Sequence, residues 1–547
     1  MIAIVEAYKY GAFNVRNFFP NLVAGTIIGV ITLPLSMAFA IASGAKPEQG
    51  IYTAIIAGLV VGLLGGTRFQ ISGPTGAFIV VLLSITTKFG IEGLQVATIM
   101  AGLILVVMGA IRLGNVIKFI PDPVIVGFTS GISIIIFFGE WPHFFGLSPL
   151  SPNIVYFHEK VITIFSALPN LDITTTFMGL LSIGVLLYSS KVKYINLLPA
   201  PLVAIIAALL IQYIFNFSSV ASIGSVYGAI PQGRPDFHFP SFSLNEVFAL
   251  AGPAFTIALL GAIESLLSAV IADGMMGTRH NSNQELIGQG IANVICPFFG
   301  GFASTGAIAR TATSIRQGAT SPLAAVIHSI TLILILYFLA PLAYYIPLCT
   351  LGAILFVIAY NIGDFKHFYH LLRHAPKNDV LVLVSTFLLT IFTDLVIAVN
   401  VGVILAVLLF TQRMSQAVIV EQASEAHITK LLKTVAPPSL KPKDVLIYSI
   451  QGPFFFAAAE KLEHALAISR EDPKILVFRL KGIPFMDITG LQTFYEIIED
   501  LHARGITIIL CEANVQVVKK VTKIGILSFV YQQRIFESLK EALSSIK

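Results

Sequence analysis

The sequence predicts a mostly helical, polytopic membrane protein followed by a small α/β domain, and three observations carry that prediction. Long apolar runs recur from Leu22 to Phe410, hydrophobic residues make up 56% of the chain against 12% charged, and the charges are unevenly spread. Up to Arg413 there are about 18 Lys+Arg and 15 Asp+Glu, roughly 8% of that stretch, whereas the remainder holds about 16 and 14, roughly 22%. Soluble chains average roughly 25% charged residues. Lipid is therefore the main solvent of the first part and water that of the second. The expected organisation is a transmembrane domain over 1–413, a polar linker over 414–440 containing Pro437-Pro438, and a soluble domain over 441–547.

About fourteen spans fit between Leu22 and Phe410, several shorter than the roughly 20 residues of a straight crossing. With the N-terminus inside, the inner loops carry Lys9, Arg16, Arg68, Arg112, Lys118, Lys191, Lys193, Arg279, Arg316, Lys366, Arg373, Lys377 and Arg413. The outer loops carry only Lys46, Lys88, Lys160 and Arg234. That asymmetry places both termini on the cytoplasmic side of the inner membrane, which requires an even number of spans. Met1 to Phe19 lacks the basic, apolar and small-residue regions of a removable signal peptide. Cys296, Cys349 and Cys511 have no metal-ligand spacing, so neither disulfides nor zinc are expected. The net charge of +5 is shared between the two parts and gives no basic face for nucleic acid.

Two of the short spans are informative. Thr75–Ile85 and Gly306–Ile315 open with Gly, Ser and Thr and are weakly apolar; facing lipid they would leave backbone groups unsatisfied, so they belong inside a bundle, lining a cavity. Ser72-Gly73-Pro74-Thr75-Gly76 follows a short extended run, and Ser304-Thr305-Gly306 follows Phe302-Ala303. Matched interrupted segments in two halves are the sequence mark of a midplane site in inverted-repeat transporters. The alternative is that glycine-rich helices simply pack closely, as Gly58 and Gly62 would in a GxxxG arrangement. Past the linker, apolar runs Val445–Ile450, Ile475–Leu480 and Ile506–Leu510 read as strands, separated by helical patterns at Ala457–Ala467, Gly490–Ala503 and Val515–Lys523.

These residues also carry a family resemblance. Gly25-Thr26-Ile27-Ile28-Gly29 through Leu33-Pro34-Leu35-Ser36-Met37, with Gly50-Ile51-Tyr52, resembles the first-helix signature of the SulP anion permeases. Ser72–Gly76 resembles that family's third segment, Gly261–Leu267 with Ala272-Asp273-Gly274 its eighth, and Gly306–Thr311 its tenth. Phe485-Met486-Asp487-Ile488-Thr489-Gly490-Leu491 resembles a STAS domain. Within the family, Gly277-Thr278-Arg279-His280 and Leu371–Lys377 look most like the bacterial C4-dicarboxylic acid permease branch. The resemblance implies fourteen membrane segments as a 7+7 inverted repeat, like uracil permeases, with a core moving against a gate. It also implies a homodimer.

An anion at the midplane loses hydration and needs fixed positive potential; two half-helix N-termini supply it through unpaired N–H groups and about half a positive charge each. The expected binding residues are Thr32, Gly73, Thr75, Gly76, Thr305, Gly306, Ala307 and Arg310, with small side chains admitting the anion to the backbone. Arg310 is an ionisable group within a membrane segment, read as contributing to the site or else as a structural partner of Glu264 or a snorkelling head group. The proline kink at Pro34 beside Thr32 has a purely structural alternative. Glu264, with Ser268 one turn later, is the coupling candidate; the resemblance to sodium-coupled bicarbonate transporters implies aspartate there, and the glutamate favours a proton over sodium. Asp273 and Asp394 read as structural near membrane boundaries, His328 as a packing histidine, and Glu140-Trp141-Pro142-His143 as an outer interfacial anchor. Thr489 matches the position phosphorylated in anti-sigma-factor antagonists and otherwise reads as a loop and helix-cap residue, a regulatory candidate facing a cytoplasmic protein partner.

The leading expectation is proton-coupled uptake of a C4-dicarboxylate or sulfate. The alternatives are sodium-coupled bicarbonate import or anion exchange and, from another class, a STAS-based membrane sensor with little transport. No GxxxxGK P-loop, nucleophile elbow or zinc-ligand spacing occurs, so an enzyme is not expected, nor any cofactor.

Overall fold

The computed structural model describes residues 2–9, 14–114, 121–147, 157–193, 198–215, 217–233, 235, 237–241, 244–393, most of 401–412, 418–424, 426, 428–430, 441–468 and 473–546. Lys118, Arg234, Asp394, Arg413, Pro437-Pro438 and the expected 413/414 boundary lie outside the described residues. The chain forms two units, Met1–Ala406 and Val407–Lys547.

The first unit is helical. Helix α1 (Ala3–Lys9) precedes α2 (Val15–Ala42) and α3 (Pro47–Leu64), after which strand β1 (Ser72–Gly73) leads through a 3-10 turn, Gly76–Phe78, into α4 (Ile79–Ala110). Then come α5 (Asp122–Gly139), α6 (Trp141–Phe145), α7 (Phe157–Ala167), α8 (Ile173–Tyr188), α9 (Ala200–Phe215), α10 (Ile223–Tyr227) and the long α11 (Leu244–Met276). The unit continues with α12 (Ser282–Ile295), β2 (Thr305–Gly306), α13 (Ile308–Arg316), α14 (Leu323–Ala343), α15 (Leu348–Gly363), α16 (Phe365–His374) and α17 (Lys377–Phe392). Among the described residues seven helical stretches are long and apolar enough to cross a membrane, and α7 with α8, bent by 112°, makes an eighth if counted as one span. One of the seven, Gly76–Ala110, is really two: Gly90 takes φ 70°, a left-handed conformation that stops the helix and separates a short half-helix from a full-length one. The shorter α12 is buried along most of its length between the long helices, whereas α9 leaves Leu210, Tyr213, Ile214 and Phe215 exposed.

Small residues set the closest contacts. Gly58 and Gly62 of α3 face Ser329 and Ala325 of α14, so the packing use expected of this pair is realised there. Gly102 of α4 and Gly290 of α12 meet backbone to backbone: a Cβ on either would lie 2.6 Å from the other's carbonyl oxygen.

The second unit is an α/β domain. Strand β3 (Ile419–Gln422) is followed by β4 (Val445–Gln451), α18 (Phe456–Ile468), β5 (Ile475–Gly482), α19 (Ile488–Ala503), β6 (Thr507–Cys511), α20 (Val515–Ile524), β7 (Val530–Phe536) and α21 (Leu539–Ser544). The sheet runs β3-β4-β5-β6-β7, with β3 antiparallel at one edge and the rest parallel. Leu476, Phe478 and Leu480 pack to one face with Phe454, Phe494 and Ile498, while Ile475 and Val477 pack to the other with Ile509, Phe536 and Leu543. Burial on both faces is why these strands read as continuous apolar runs. The three expected strands and three helices are present, and the structure adds β3, which falls inside the stretch expected to be a linker, together with β7 and α21.

Candidate functional site

The matched interruptions meet in space. Strands β1 and β2 pair antiparallel, Ser72 opposite Gly306 and Gly73 opposite Thr305. The Ala307 N–H extends the ladder to the Ile71 carbonyl at 2.9 Å, and the Ile71 N–H reaches Thr311 Oγ1 at 3.0 Å. Immediately beyond the pair, one half-helix starts at Gly76 and the other, α13, at Ile308. Thr75 and Ala307 stand at their cap positions and neither gives a side-chain cap, so the first-turn N–H groups lack the usual local acceptor.

The charged groups flank this junction. Thr75, buried, donates its hydroxyl to Glu264 Oε2 of α11 at 2.9 Å. Arg310, 4% exposed, donates through Nη2 to the Pro74 carbonyl, while Nη1 has no partner and stands 2.8 Å from where a Cβ of Gly73 would be. Arg310 therefore neither snorkels outward nor pairs with Glu264: among the described residues no ion pair joins the two, and they bond to adjacent residues, Arg310 to the Pro74 carbonyl and Glu264 to the Thr75 hydroxyl.

Other expected site residues are held differently. The Thr305 hydroxyl bonds to Ser265 Oγ at 2.8 Å and to the Gly261 carbonyl at 3.2 Å, and the Gly306 N–H donates to Ser265 Oγ at 3.0 Å. These contacts fasten β2 to α11. Ser268 Oγ donates to Gln70 Oε1 at 3.0 Å rather than to Glu264, and Gln70 Nε2 donates to the Ser265 carbonyl at 3.1 Å. The Gln70 amide fills the space that a side chain at Gly306 would need. Thr32 in α2 is fully buried with an unpartnered hydroxyl, as is Ser36 one turn on. His328 of α14 is fully buried with neither ring nitrogen bonded, beside Gly58. Among the described residues no group of three or more His, Cys, Asp or Glu could hold a metal ion.

Elsewhere, Asp273 closes the turn after α11 by accepting from Thr278 Oγ1 and the His280 N–H, with His280 Nδ1 at 2.7 Å. Trp141 sits in a cluster with Phe137, Phe138, Phe145 and Phe165. Thr489 is exposed in the first turn of α19, and the cap is Asp487, which accepts the Gly490 N–H at 2.7 Å. Sequence reasoning passed over Gln70, Ser265, Glu285, Gln289 and Asn293; for the last three the available signal was polar residues repeating every four positions along one helix, and for Gln70 and Ser265 there was no comparable signal.

The sulfate permease family pattern matches residues 18–386, and the STAS domain pattern residues 436–542. The chain belongs to the sulfate permease family. YvdB of Bacillus subtilis (strain 168), provisionally named a sulfate transporter, is 38% identical over 530 residues, covering 97% of this chain and 98% of that one. The bicarbonate transporter BicA of Picosynechococcus sp. is 30% identical over 548 residues, 97% of this chain and 95% of that one. The structure of SLC26A9 aligns with TM-score 0.86 over 99% of this chain and 92% of that one at 19% identity, which speaks to the fold alone. The transmembrane domain of BicA aligns with TM-score 0.63 at 29% identity over 71% of this chain and 97% of that one. Sulfate permease family members are transporters and not enzymes, and this chain is a multi-pass membrane member with a STAS domain.

Proposed function

We propose that this chain is a secondary active transporter that takes up a small oxyanion, sulfate or a C4-dicarboxylate, across the cytoplasmic membrane with a proton as the coupling ion. The observation that carries the reading is the Thr75–Glu264 hydrogen bond at 2.9 Å, which fixes a carboxylate at the mouth of one half-helix while Arg310 donates to the carbonyl of the preceding residue, Pro74. A negative charge there opposes anion entry. Protonating Glu264 removes it, so proton and anion enter together, and losing the proton on the inner side favours release. Arg310 and the two helix ends supply the standing positive potential in either state.

Sodium-coupled bicarbonate import is the second reading, favoured by the likeness to BicA. The Ser268 hydroxyl, the further sodium ligand that the sequence suggested, bonds to Gln70 and not to Glu264, and the glutamate in place of aspartate favours the proton reading. The dicarboxylate resemblance rests on Gly277–His280, a turn, and Leu371–Lys377, the end of α16 and the start of α17, both outside the site. It therefore carries less weight on substrate than the sulfate and bicarbonate relatives do. The same reading has both termini cytoplasmic, a homodimer, and Thr489 as an exposed position where a cytoplasmic partner or kinase acts.

The test is uptake of labelled sulfate, succinate and bicarbonate into proteoliposomes under separately imposed pH and sodium gradients. Glu264→Gln is expected to keep anion binding and abolish accumulation driven by the pH gradient. Arg310→Ala is expected to weaken binding at every pH by about 1–3 kcal/mol. Accumulation that tracks sodium alone favours the second reading, and no uptake of any anion favours the sensor.

A further inference from the structure

Helix α12 carries Glu285, Gln289 and Asn293 at successive four-residue steps, hence on one face. All three are buried, at 0%, 0% and 1% exposure, where unsatisfied polar groups are costly. Their partners lie in both interrupted segments. Glu285 Oε2 accepts the N–H groups of Gly66 at 2.9 Å and Thr67 at 3.0 Å, in the run leading to β1, and Oε1 accepts from Gln289 Nε2 at 3.1 Å. Gln289 Nε2 also donates to the Ser72 hydroxyl of β1 at 2.7 Å. Asn293 grips the residue before β2 from both sides: Oδ1 accepts the Ser304 N–H at 2.7 Å and Nδ2 donates to the Ser304 carbonyl at 3.0 Å.

A pair of two-residue strands cannot hold its own register, because so short a ladder is marginal without further packing. The helix that spans both strands supplies what they lack. It is itself seated on α4 through the Gly102–Gly290 contact, so the ladder hangs from a fixed support.

We infer that Gln289 and Asn293 are positioning residues for anion transport: without touching the anion, they set the separation and aim of the two half-helix N-termini. The inference rests on the anion site proposed above. Losing Asn293 lets β2 and the start of α13 shift against β1, and losing Gln289 does the same from the other strand, so both act on one geometry.

The test uses full-length protein in proteoliposomes with whichever anion the wild type takes up, comparing Asn293→Ala, Gln289→Met, the double variant and the milder Ser72→Ala, which removes only the hydroxyl that Gln289 holds. With turnover normalised to folded protein, Asn293→Ala and Gln289→Met are each expected to raise KM about tenfold with kcat within about twofold, as expected for loss of a buried hydrogen bond expressed in binding. The double variant is expected to fall short of the product of the singles, because one geometry is lost only once. Ser72→Ala is expected to raise KM about threefold, and it serves alone if the larger changes prevent folding. A purely structural role would lower yield and melting temperature while leaving KM of the folded protein unchanged. Wild-type uptake with KM within twofold in Asn293→Ala and Ser72→Ala overturns the inference; absence of wild-type anion uptake overturns the reading beneath it and the inference with it.

Discussion

The two units of this chain bury different things. Among the described residues the buried polar and charged side chains lie at or before Thr390, in the membrane unit; the STAS unit buries only the Tyr448 hydroxyl, which donates to the Ala465 carbonyl, and the Cys511 thiol. The STAS interior is Tyr448, Phe454, Phe478, Phe494 and their aliphatic neighbours, with polar groups such as Asp487 at helix ends. A domain folded by water gains by excluding polar groups from its core. In lipid that gain is absent, and interior polar groups persist where they hold backbone that is neither helix nor closed sheet, here the junction of β1 and β2.

The largest expected effect that tests this contrast is Phe478→Ala, which removes a fully buried ring from the STAS core and should destabilise that unit by about 3–5 kcal/mol. Anion-induced stabilisation of the membrane unit should persist, as it should when residues 418–547 are deleted, a cut that removes β3 with the strand it pairs with. Thermal unfolding with and without anion measures both; loss of the anion effect in either would show that the units share a core. Gly306→Ala is next. Its methyl group meets the Gln70 amide, and overpacking of this kind costs about 1–3 kcal/mol, with uptake per folded molecule falling as β2 is displaced.

Thr32→Val runs the other way. The Thr32 hydroxyl is buried and unpartnered, so an isosteric apolar replacement should raise stability measured without anion by about 1 kcal/mol while weakening anion binding, if the hydroxyl serves the substrate. Raised melting temperature with unchanged affinity would remove Thr32 from the site. The smallest effect concerns Cys511, whose thiol burial in the STAS sheet pushes up to about 12. At pH 8 it should resist alkylation in folded protein and react on unfolding, which peptide mass mapping detects without any change in transport.

How much of this was legible depends on the distance over which each feature is written. The half-helices announce themselves locally, because small residues such as Ser72-Gly73 and Thr305-Gly306 interrupt apolar sequence in both halves. Strands β4, β5 and β6 are equally local, as unbroken apolar runs between turn residues. What the sequence conceals is partnership: Gln70 and Ser265 are 195 residues apart, Gln289 and Ser72 217, and an amide beside other polar residues looks like a membrane boundary until its partner is known. The Thr305 hydroxyl, expected to face an anion, turns to α11 for the same reason. Strand β7 escapes because Gln532 and Gln533, at φ 54° and 49°, break its alternation with a bulge.

The glycine contact between α4 and α12 has a mechanical consequence. With each carbonyl 2.6 Å from where the other's Cβ would stand, the two backbones touch directly, and a side chain at either position would force the helices apart. The full-length part of α4 beyond Gly90 and the face bearing Gln289 and Asn293 are therefore expected to travel as one piece through the transport cycle. A covalent staple across the neighbours of Gly102 and Gly290 should therefore leave cycling intact, which makes this joint the fixed point from which a spectroscopic ruler would measure every other movement.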